Sequence, residues 1–223
     1  MKPDEYDAWY MTPFGAYADR LEKELVFSFL GDVRGVSVLD VGCGTGNYSL
    51  ELAKKGAKVT DIDSSEKMLS KAKEKAKKEG VKVRFVLGKA EELPFNPKSF
   101  DIILSVTACE FLDDMGLAIK EMERVVKDDG KIVVGLINKW SLYCIGKRII
   151  GKFRKDSIYN RARFYDITEL KRLFGDVEWD STLFAQEWFP SWFLKPFHGL
   201  EKILSKAFKP FGAFIVLSKG GKG

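Results

Sequence analysis

The order of apolar and polar positions predicts strands that alternate with helices through most of the chain. Apolar runs of strand length are bounded by turn residues; they span 36–41, 57–62, 81–87, 100–106 and 131–137. Between them lie segments of helical periodicity, for example a helix over about 65–79 with Met68, Leu69, Ala72 and Ala76 inward, and one that begins at Asp113 or Asp114. Such alternation predicts an α/β fold with a parallel sheet and right-handed crossovers.

The two ends of the chain carry additions to this alternation. In 1–35, a helical period follows a group of aromatic residues that either cover the edge of the core or form a lid; the aromatic residues are Tyr6, Trp9, Tyr10, Phe14 and Tyr17. After 137, Asp166 with Glu169 forms a capping-box pattern that predicts a helix through Phe174. Further strands are expected at 177–183 and 213–217, and an amphipathic helix within 189–210 has an apolar face of Leu200, Ile203, Leu204 and Ala207.

The turn after the first predicted strand indicates a ligand site. Its glycines are spaced two apart, in the pattern D-x-G-x-G-x-G from Asp40 through Gly42 and Gly44 to Gly46. Glycine is needed where a backbone adopts positive φ or approaches a ligand closely. The spacing differs from the G-x-G-x-x-G of dinucleotide-binding turns. The second strand ends in Asp63, where a carboxylate can accept hydrogen bonds from both hydroxyls of a ribose.

Composition narrows the class of protein. The 223 residues carry a mild net charge of +5, and 45% are hydrophobic, enough for a substantial core. No run of about 18 apolar residues predicts a membrane span, and the N-terminus has no apolar signal core. The odd cysteine count, without C-x-x-C, predicts a reducing cytoplasmic setting and no structural metal. Abundant Lys and Glu with little Gln and Asn indicate a thermophilic source.

Motifs in order along the chain resemble those of class I S-adenosylmethionine (SAM)-dependent methyltransferases. The motifs are 40–46, 59–69, 88–95 and 99–105, with a weaker match at 164–170. They are similar to the small-molecule branch that contains ubiquinone and menaquinone methyltransferases. The resemblance implies one Rossmann-like domain over 1–223, with a mostly parallel seven-stranded sheet and helices on both faces. It implies a SAM-binding core at 36–137, a lid at 1–35, and a substrate cap from 139–165 and 186–210.

The resemblance also implies which residues bind SAM. They are Asp40, Gly42, Gly44, Gly46, Asp63, Ser64, Met68, Ala90, Glu91 and Ser105, with Tyr6 and Tyr17 from the lid. Two positions depart from the family pattern. Asp61 stands where Gly is usual, and Lys89 stands where an Asp usually binds the adenine amino group. Because Lys89 has no acceptor, adenine recognition is expected from the Ala90 backbone or from Glu91.

The segment after the fourth predicted strand holds the candidate catalytic residue. Glu110 occupies a position where relatives often carry His, so it is a candidate general base, or else an acid at a helix terminus. Cys109 is either a nucleophile or, as expected here, a small buried core residue. His198, the sole histidine, is either a base or a packing residue.

Three hypotheses remain for the function. The favoured one is a small, partly apolar molecule in a pocket lined by Trp188, Phe189, Trp192, Phe193 and Phe197. The second is RNA, held by the basic segment 139–163, which could instead be a helix with Trp140, Leu142, Ile145, Ile149 and Ile150 inside. The third is a SAM-binding protein without catalysis. No pattern indicates the oligomeric state.

Overall fold

The chain forms an α/β fold around one sheet. A computed structural model describes residues 2–153 and 160–220. The strands are β1 Ser37–Val41, β2 Lys58–Asp63, β3 Val83–Leu87, β4 Phe100–Val106, β5 Val126–Ile137, β6 Glu178–Thr182 and β7 Phe214–Gly220. The helices are α1 Pro3–Tyr10, α2 Pro13–Leu30, α3 Ser49–Lys54, α4 Glu66–Glu79, α5 Met115–Val125, α6 Leu142–Phe153, α7 Ile167–Phe174 and α8 Ser191–Ala207.

The strand order places two loops at one point of the sheet edge. The seven strands follow the order β3-β2-β1-β4-β5-β7-β6. β1 pairs in parallel with both β2 and β4, whereas β7 is antiparallel to β5 and β6. The predicted mostly parallel, seven-stranded sheet is therefore confirmed. Because the order reverses between β1 and β4, the loops after these strands diverge to form a crevice, where open α/β sheets bind ligands.

Helices cover both faces of the sheet. Alternate side chains of β1, β4 and β5 point to opposite faces. On one face Val38, Leu104 and Val133 pack with residues of α2, and on the other Leu39 and Ile103 pack with residues of α5 and α7. The two apolar clusters hold the strand ends, and hence the crevice, in place.

β5 begins earlier than the predicted 131–137. Val126 caps α5 in an extended conformation, so the strand follows the helix without a loop and includes Gly130. The pairing of β4 with β5 shifts register between Phe100 and Ile102. A Cβ on Gly130 would lie 2.7 Å from the Asp101 carbonyl oxygen, which explains why glycine occupies this point.

Two helices near the C-terminus turn a different face inward from the predicted one. In α6, Tyr143 and Cys144 are buried, whereas Leu142 and Ile149 are exposed, as is Trp140 just before the helix. The side chain of Ile150, as well as Arg154, Lys155 and Asp156 of the basic segment, lies outside the described residues.

In α8 most of the predicted apolar face is on the outside, and of its four residues only Leu204 is half-buried against the core. Leu200 and Ile203 are exposed, and the buried residues are Leu194, Phe197 and Glu201. In the part of the chain that the structure describes, no helix is long and apolar enough to cross a bilayer.

Candidate functional site

The glycine turn after β1 is shaped by close packing on both sides. Gly42, Gly44 and Gly46 adopt φ of 73°, 55° and 83°, a region that favours glycine. A Cβ on Gly42 would lie 2.4 Å from the Ala108 Cβ, so the turn packs directly against the segment after β4. A Cβ on Gly46 would lie 3.3 Å from that of Ala72, so this glycine serves the packing of the turn against α4.

A first cavity of about 420 Å³ opens beside this turn, at the carboxyl ends of β1, β2 and β4. Of the predicted SAM-binding residues, it is lined by Tyr6, Gly42, Gly44, Asp63, Ser64, Met68, Ala90 and Glu91. The structure therefore brings together residues from loops that are far apart in the sequence.

Asp63 connects the two sides of the first cavity. Its Oδ2 accepts a hydrogen bond of 2.8 Å from the Gly44 N–H, and its Oδ1 accepts one of 2.8 Å from the Ser65 N–H. An ionised carboxylate has about four acceptor positions. Asp63 can therefore hold the glycine turn and still accept two hydroxyl groups from a ligand.

The far wall of the first cavity is tied to the segment before α5. Lys89 Nζ lies 3.4 Å from Asp113 Oδ2, and Glu91 Oε1 accepts a hydrogen bond of 2.9 Å from the Asp113 N–H. One Glu91 oxygen is thus engaged with backbone, and Oε2 is the one that remains for a ligand. Arg161, which the sequence placed only in the basic segment 139–163, also lines this cavity.

A second cavity of about 290 Å³ adjoins the first. Its lining is mostly aromatic and aliphatic, and consists of Glu5, Tyr6, Trp9, Tyr10, Glu22, Thr107, Glu110, Phe111, Ile137, Tyr143, Lys147, Phe164, Leu183 and Ala213. Tyr6, Thr107 and Phe111 line both cavities. These three residues form the boundary at which two bound molecules would meet.

Thr107 holds a strained backbone conformation at that boundary. Its φ is 49°, which is rare for a β-branched residue and costs on the order of 1–3 kcal/mol. The Thr107 N–H donates a 2.8 Å hydrogen bond to the Gly135 carbonyl, which anchors the strained residue to β5. Such strain clusters at active sites.

Known proteins resemble the chain in sequence and in fold. A family model described as a methyltransferase domain matches residues 39–134. An uncharacterised protein of Methanocaldococcus jannaschii is 31% identical over 188 residues, 82% of this chain and 83% of that protein. A SAM-dependent methyltransferase of Thermotoga maritima, described as a possible histamine N-methyltransferase, superposes with a TM-score of 0.71 at 28% identity, covering 98% of this chain and 95% of that one. The chain belongs to the SAM-dependent methyltransferases.

A relative with a named acceptor matches over a shorter stretch. The demethylmenaquinone methyltransferase of Lactococcus lactis is 38% identical over 108 residues, which is 47% of this chain and 43% of that protein. The cofactor of the methyltransferase is SAM. The first cavity fits it: Asp63 offers acceptors for two ribose hydroxyls, and the backbone at Gly44, where an added Cβ would have only Tyr6 within 4 Å, leaves room for the methionine portion.

Some predicted SAM-binding residues of the methyltransferase lie away from the first cavity. Within the described residues, those that do not line it are Asp40, Gly46, Ser105 and Tyr17. The buried Ser105 Oγ donates a hydrogen bond of 2.9 Å to the Val41 carbonyl, so it links β4 to β1. The Tyr17 hydroxyl instead lies 3.4 Å from Glu201 Oε1, in contact with α8.

Asp40 lies beneath the glycine turn beside a second buried acid. It is the register partner of Asp61, the residue that stands where the family usually has Gly. Ser49 Oγ donates a 2.8 Å hydrogen bond to Asp61 Oδ2, while Asp61 Oδ1 is buried without a partner among the described residues. Burial raises the pKa of Asp61 to about 7. Burial, and then the charges of Asp61 and Asp63, raise the pKa of Asp40 well above its usual value.

Glu110 borders the second cavity rather than the first. It is 1% exposed, and its Oε1 accepts a 2.7 Å hydrogen bond from the Ile137 N–H. Its Oε2 is buried and has no hydrogen-bond partner in the described part of the chain. Burial raises the pKa of Glu110 to about 7. The residue therefore has one oxygen fixed by the backbone and one able to accept a proton.

Glu22 is a second buried acid in the same cavity and was missed by the sequence analysis. Burial, and then the negative charges of Asp19 and Glu110, raise the pKa of Glu22 to about 8. The sequence does contain a signal: Ala18, Glu22 and Val26 are spaced four apart on the buried face of α2. A charged residue on an apolar helix stripe is the pattern that could have identified it.

α1 brings aromatic residues to both cavities. Asp7 Oδ1 accepts a 2.6 Å hydrogen bond from Thr45 Oγ1 of the glycine turn and lies 3.3 Å from Lys75 Nζ of α4. The Tyr6 and Tyr10 hydroxyls are 2.8 Å apart, and burial raises the pKa of Tyr6 to about 12. α1 is thus bound to the turn that it covers.

The aromatic residues predicted to line an acceptor pocket do not do so. Trp188, Phe189, Trp192, Phe193 and Phe197 line neither cavity within the described residues. Trp188 and Trp192 are exposed, and the three phenylalanines pack against one another. The aromatic lining of the second cavity comes instead from α1, from Phe111, from Tyr143 of α6 and from Phe164.

The two remaining candidates for direct chemistry lie elsewhere. Cys109 is buried in the apolar cluster with α5, and burial raises its pKa to about 12, so it is a core residue as expected. His198 Nδ1 lies 3.4 Å from Arg20 Nη2 near the surface. His198 does not line either cavity in the described structure.

Proposed function

We propose that the methyltransferase binds a small, partly apolar acceptor in the second cavity and methylates it across the boundary formed by Tyr6, Thr107 and Phe111. The observation that carries this proposal is the shared lining of a polar, cofactor-sized cavity and an aromatic one. Named relatives act on such acceptors: they include demethylmenaquinone methyltransferases and a ubiquinone biosynthesis O-methyltransferase of Pelagibacter ubique. Pockets for small molecules have this mainly apolar lining with a few polar groups.

The proposed cofactor contacts follow from the lining of the first cavity. Asp63 would accept both ribose hydroxyls, and Gly42 and Gly44 would contact the methionine portion. Ser64, Met68, the Ala90 backbone and Glu91 Oε2 would surround the adenosine. Asp40, Gly46 and Ser105 would act indirectly, because they shape the glycine turn and the strands that carry it.

When bound, SAM supplies a methyl group on a positively charged sulfur, which leaves as a neutral thioether when an acceptor lone pair attacks in line. The chain's own contribution is positioning, which can supply roughly 7–11 kcal/mol. The aromatic walls around Trp9 and Tyr143 would orient the acceptor and exclude water. The strained Thr107 would fix the distance between the two cavities.

We assign the general base, where the acceptor must lose a proton, to Glu110. A pKa of about 7 is near the value at which a base works best at neutral pH. Its buried Oε2 is available to take the proton. Glu22, with a pKa of about 8, is mostly protonated at neutral pH and can donate a hydrogen bond to a polar group of the acceptor.

The proposal is tested by filling the second cavity. Tyr143→Trp adds volume to its wall without touching the first cavity, so methyl transfer should fall at least tenfold while SAM affinity stays the same. The exposed Trp188 offers a matched control, and Trp188→Phe should change neither quantity. The assay follows labelled methyl from SAM into small aromatic alcohols and amines and into a low-molecular-weight cell extract. SAM binding with no labelled product from any acceptor would instead support a SAM-binding protein without catalysis.

A further inference from the structure

The orientation of α8 is fixed by a buried carboxylate. Glu201 is 2% exposed, and its oxygens accept hydrogen bonds of 2.9 Å from the N–H groups of Phe184 and Ala185. Leu194 and Phe197 are buried on the same face of the helix. The opposite face of α8 must therefore point away from the rest of the protein.

That outer face is both apolar and basic. Trp192 is 74% exposed and Ile203 is 63% exposed, and these residues lie about three turns apart, so they point in the same direction. Leu200, also exposed, lies beside them. The exposed charged side chains of α8 are all lysines: Lys195, Lys202 and Lys206. We call these six residues the outer face of α8.

We propose that the outer face of α8 binds the surface of an anionic lipid bilayer, with the helix lying in the headgroup layer. A tryptophan prefers this layer, where its ring is in an apolar setting and its N–H reaches water. Ile203 and Leu200 would enter the acyl boundary, while the lysines would extend toward lipid phosphates. The helix would lie on the membrane and not cross it, because Glu201 holds its other face to the protein.

The chemistry of this face distinguishes a membrane from other partners. RNA would contact the lysines and could stack a base on Trp192, but base stacking uses aromatic side chains and would leave Ile203 and Leu200 without an acyl-like partner. A second copy of the chain would place the three lysines against those of its partner in a self-facing contact, where like charges repel. An anionic membrane complements both the apolar and the basic residues. The proposal does not depend on the identity of the methyl acceptor.

Vesicle sedimentation tests the proposal on the full chain. The protein should pellet with vesicles of phosphatidylglycerol and phosphatidylcholine at least tenfold more strongly than with phosphatidylcholine alone. The double variant Trp192→Ser with Ile203→Ser should lower binding to the anionic vesicles at least tenfold. Calorimetric SAM affinity and the melting temperature should stay close to those of the parent protein, which shows that each variant is folded.

Two charge-reversal variants distinguish a local contact of α8 with the vesicle from a general attraction of the basic protein to anionic lipid. Lys195→Glu, Lys202→Glu and Lys206→Glu together should abolish binding to anionic vesicles. The matched control reverses the exposed Lys73, Lys77 and Lys78 of α4, which produces the same change in net charge. This control should retain most of the binding.

Three results would overturn the proposal. They are no preference for anionic vesicles, equal loss in the α4 control, and a dimer in light scattering that Trp192→Ser with Ile203→Ser converts to a monomer. The last would assign the outer face of α8 to contact between copies of the chain. Failure of the methylation assay would leave the vesicle result unaffected, so the two proposals are tested separately.

Discussion

Asp63 joins the structure of the glycine turn to the recognition of SAM. Asp63→Ala removes acceptors proposed for both ribose hydroxyls, each worth roughly 1.5–3 kcal/mol at best, so SAM affinity should fall at least tenfold. Because Asp63 also accepts the Gly44 and Ser65 N–H groups, the empty protein should melt at a lower temperature as well. Calorimetry and thermal unfolding measure the two effects. Glu66→Ala, an exposed acid nearby, is the control and should change neither; SAM affinity at the parent value in Asp63→Ala would refute the assignment.

Glu110 should set the pH dependence of methyl transfer. If it accepts a proton, kcat/KM should rise with pH through about 7 as the carboxyl ionises. Glu110→Gln should lower kcat by about 10²–10⁴ and remove this rise, with little change in SAM affinity. Steady-state rates across pH 5–9, a window of about two units on either side of that pKa, check this. An unchanged pH profile in the variant would show that Glu110 only supports the backbone at Ile137.

Glu22 should make the stability of the protein depend on pH. Its folded pKa of about 8 lies above that of an exposed carboxyl, about 4.3, because burial disfavours the charged form. The unfolded state therefore gives up the proton first, and the free energy of unfolding falls as pH rises from the unfolded toward the folded pKa. Glu22→Gln removes this loss of stability. The free energy of unfolding of the variant, relative to that of the parent protein, should therefore be more favourable at pH 8 than at pH 5.

Chemical denaturation at the two pH values measures that difference. Glu24→Gln, on the exposed side of the same helix, is the control and should give nearly the same effect at both. An effect of Glu22→Gln that does not vary with pH would mean that Glu22 is ionised in the folded protein.

At the scale of elements, α1 is expected to act as a lid because it is attached to the turn that it covers. Asp7→Ala removes the contacts with Thr45 and Lys75, so α1 should open more often and SAM should dissociate several times faster. Asp4→Ala on the same helix removes only a pair with Lys71 in which Asp4 is 85% exposed, which is worth little. Stopped-flow displacement of SAM compares the two variants. Equal rates would indicate that α1 covers the core edge without controlling access.

The inward face of a helix was predictable from the sequence where the helix has one apolar face, and was not predictable where it has two. α4 has apolar residues on one side and lysines on the other, so Leu69 and Ala72 are buried as the pattern indicates. α8 has apolar residues on both sides, and periodicity alone does not tell which side is inward. The choice is made by Glu201 and its hydrogen bonds to the backbone of Phe184 and Ala185, a tertiary contact that no local pattern encodes.

The same limit applies to the candidate site. The first cavity was largely predictable, because glycine spacing and Asp63 follow directly from the ends of β1 and β2. The second cavity was not, because its walls come from α1, α6 and Phe164, which meet only after folding. Asp61 was noticed as an exception to the family pattern, but the sequence does not show that it is buried beside Asp40.

At the scale of the whole molecule, two lysines of the basic segment 139–163 are engaged with carboxylates of the protein itself, within the part of the segment that the structure describes. Lys139 Nζ lies 2.8 Å from Glu169 Oε1, and Lys147 forms an ion pair with Glu187. Arg161 lines the first cavity. Cations engaged with the protein's own carboxylates release few counterions from RNA, so Lys139 and Lys147 should add little to RNA binding or to its salt dependence, which has a slope of about −0.7 per phosphate contact on single strands.

We therefore expect no sequence-selective RNA binding at about physiological salt and no methylated nucleoside. The test incubates the protein with labelled SAM and unmodified total RNA from the source organism, digests the RNA and separates the nucleosides. A small aromatic acceptor that becomes labelled in parallel is the positive control for active protein. A single labelled nucleoside would favour RNA over the small molecule as the methyl acceptor. The labelled base would then have to reach the boundary at Tyr6, Thr107 and Phe111 through the second cavity.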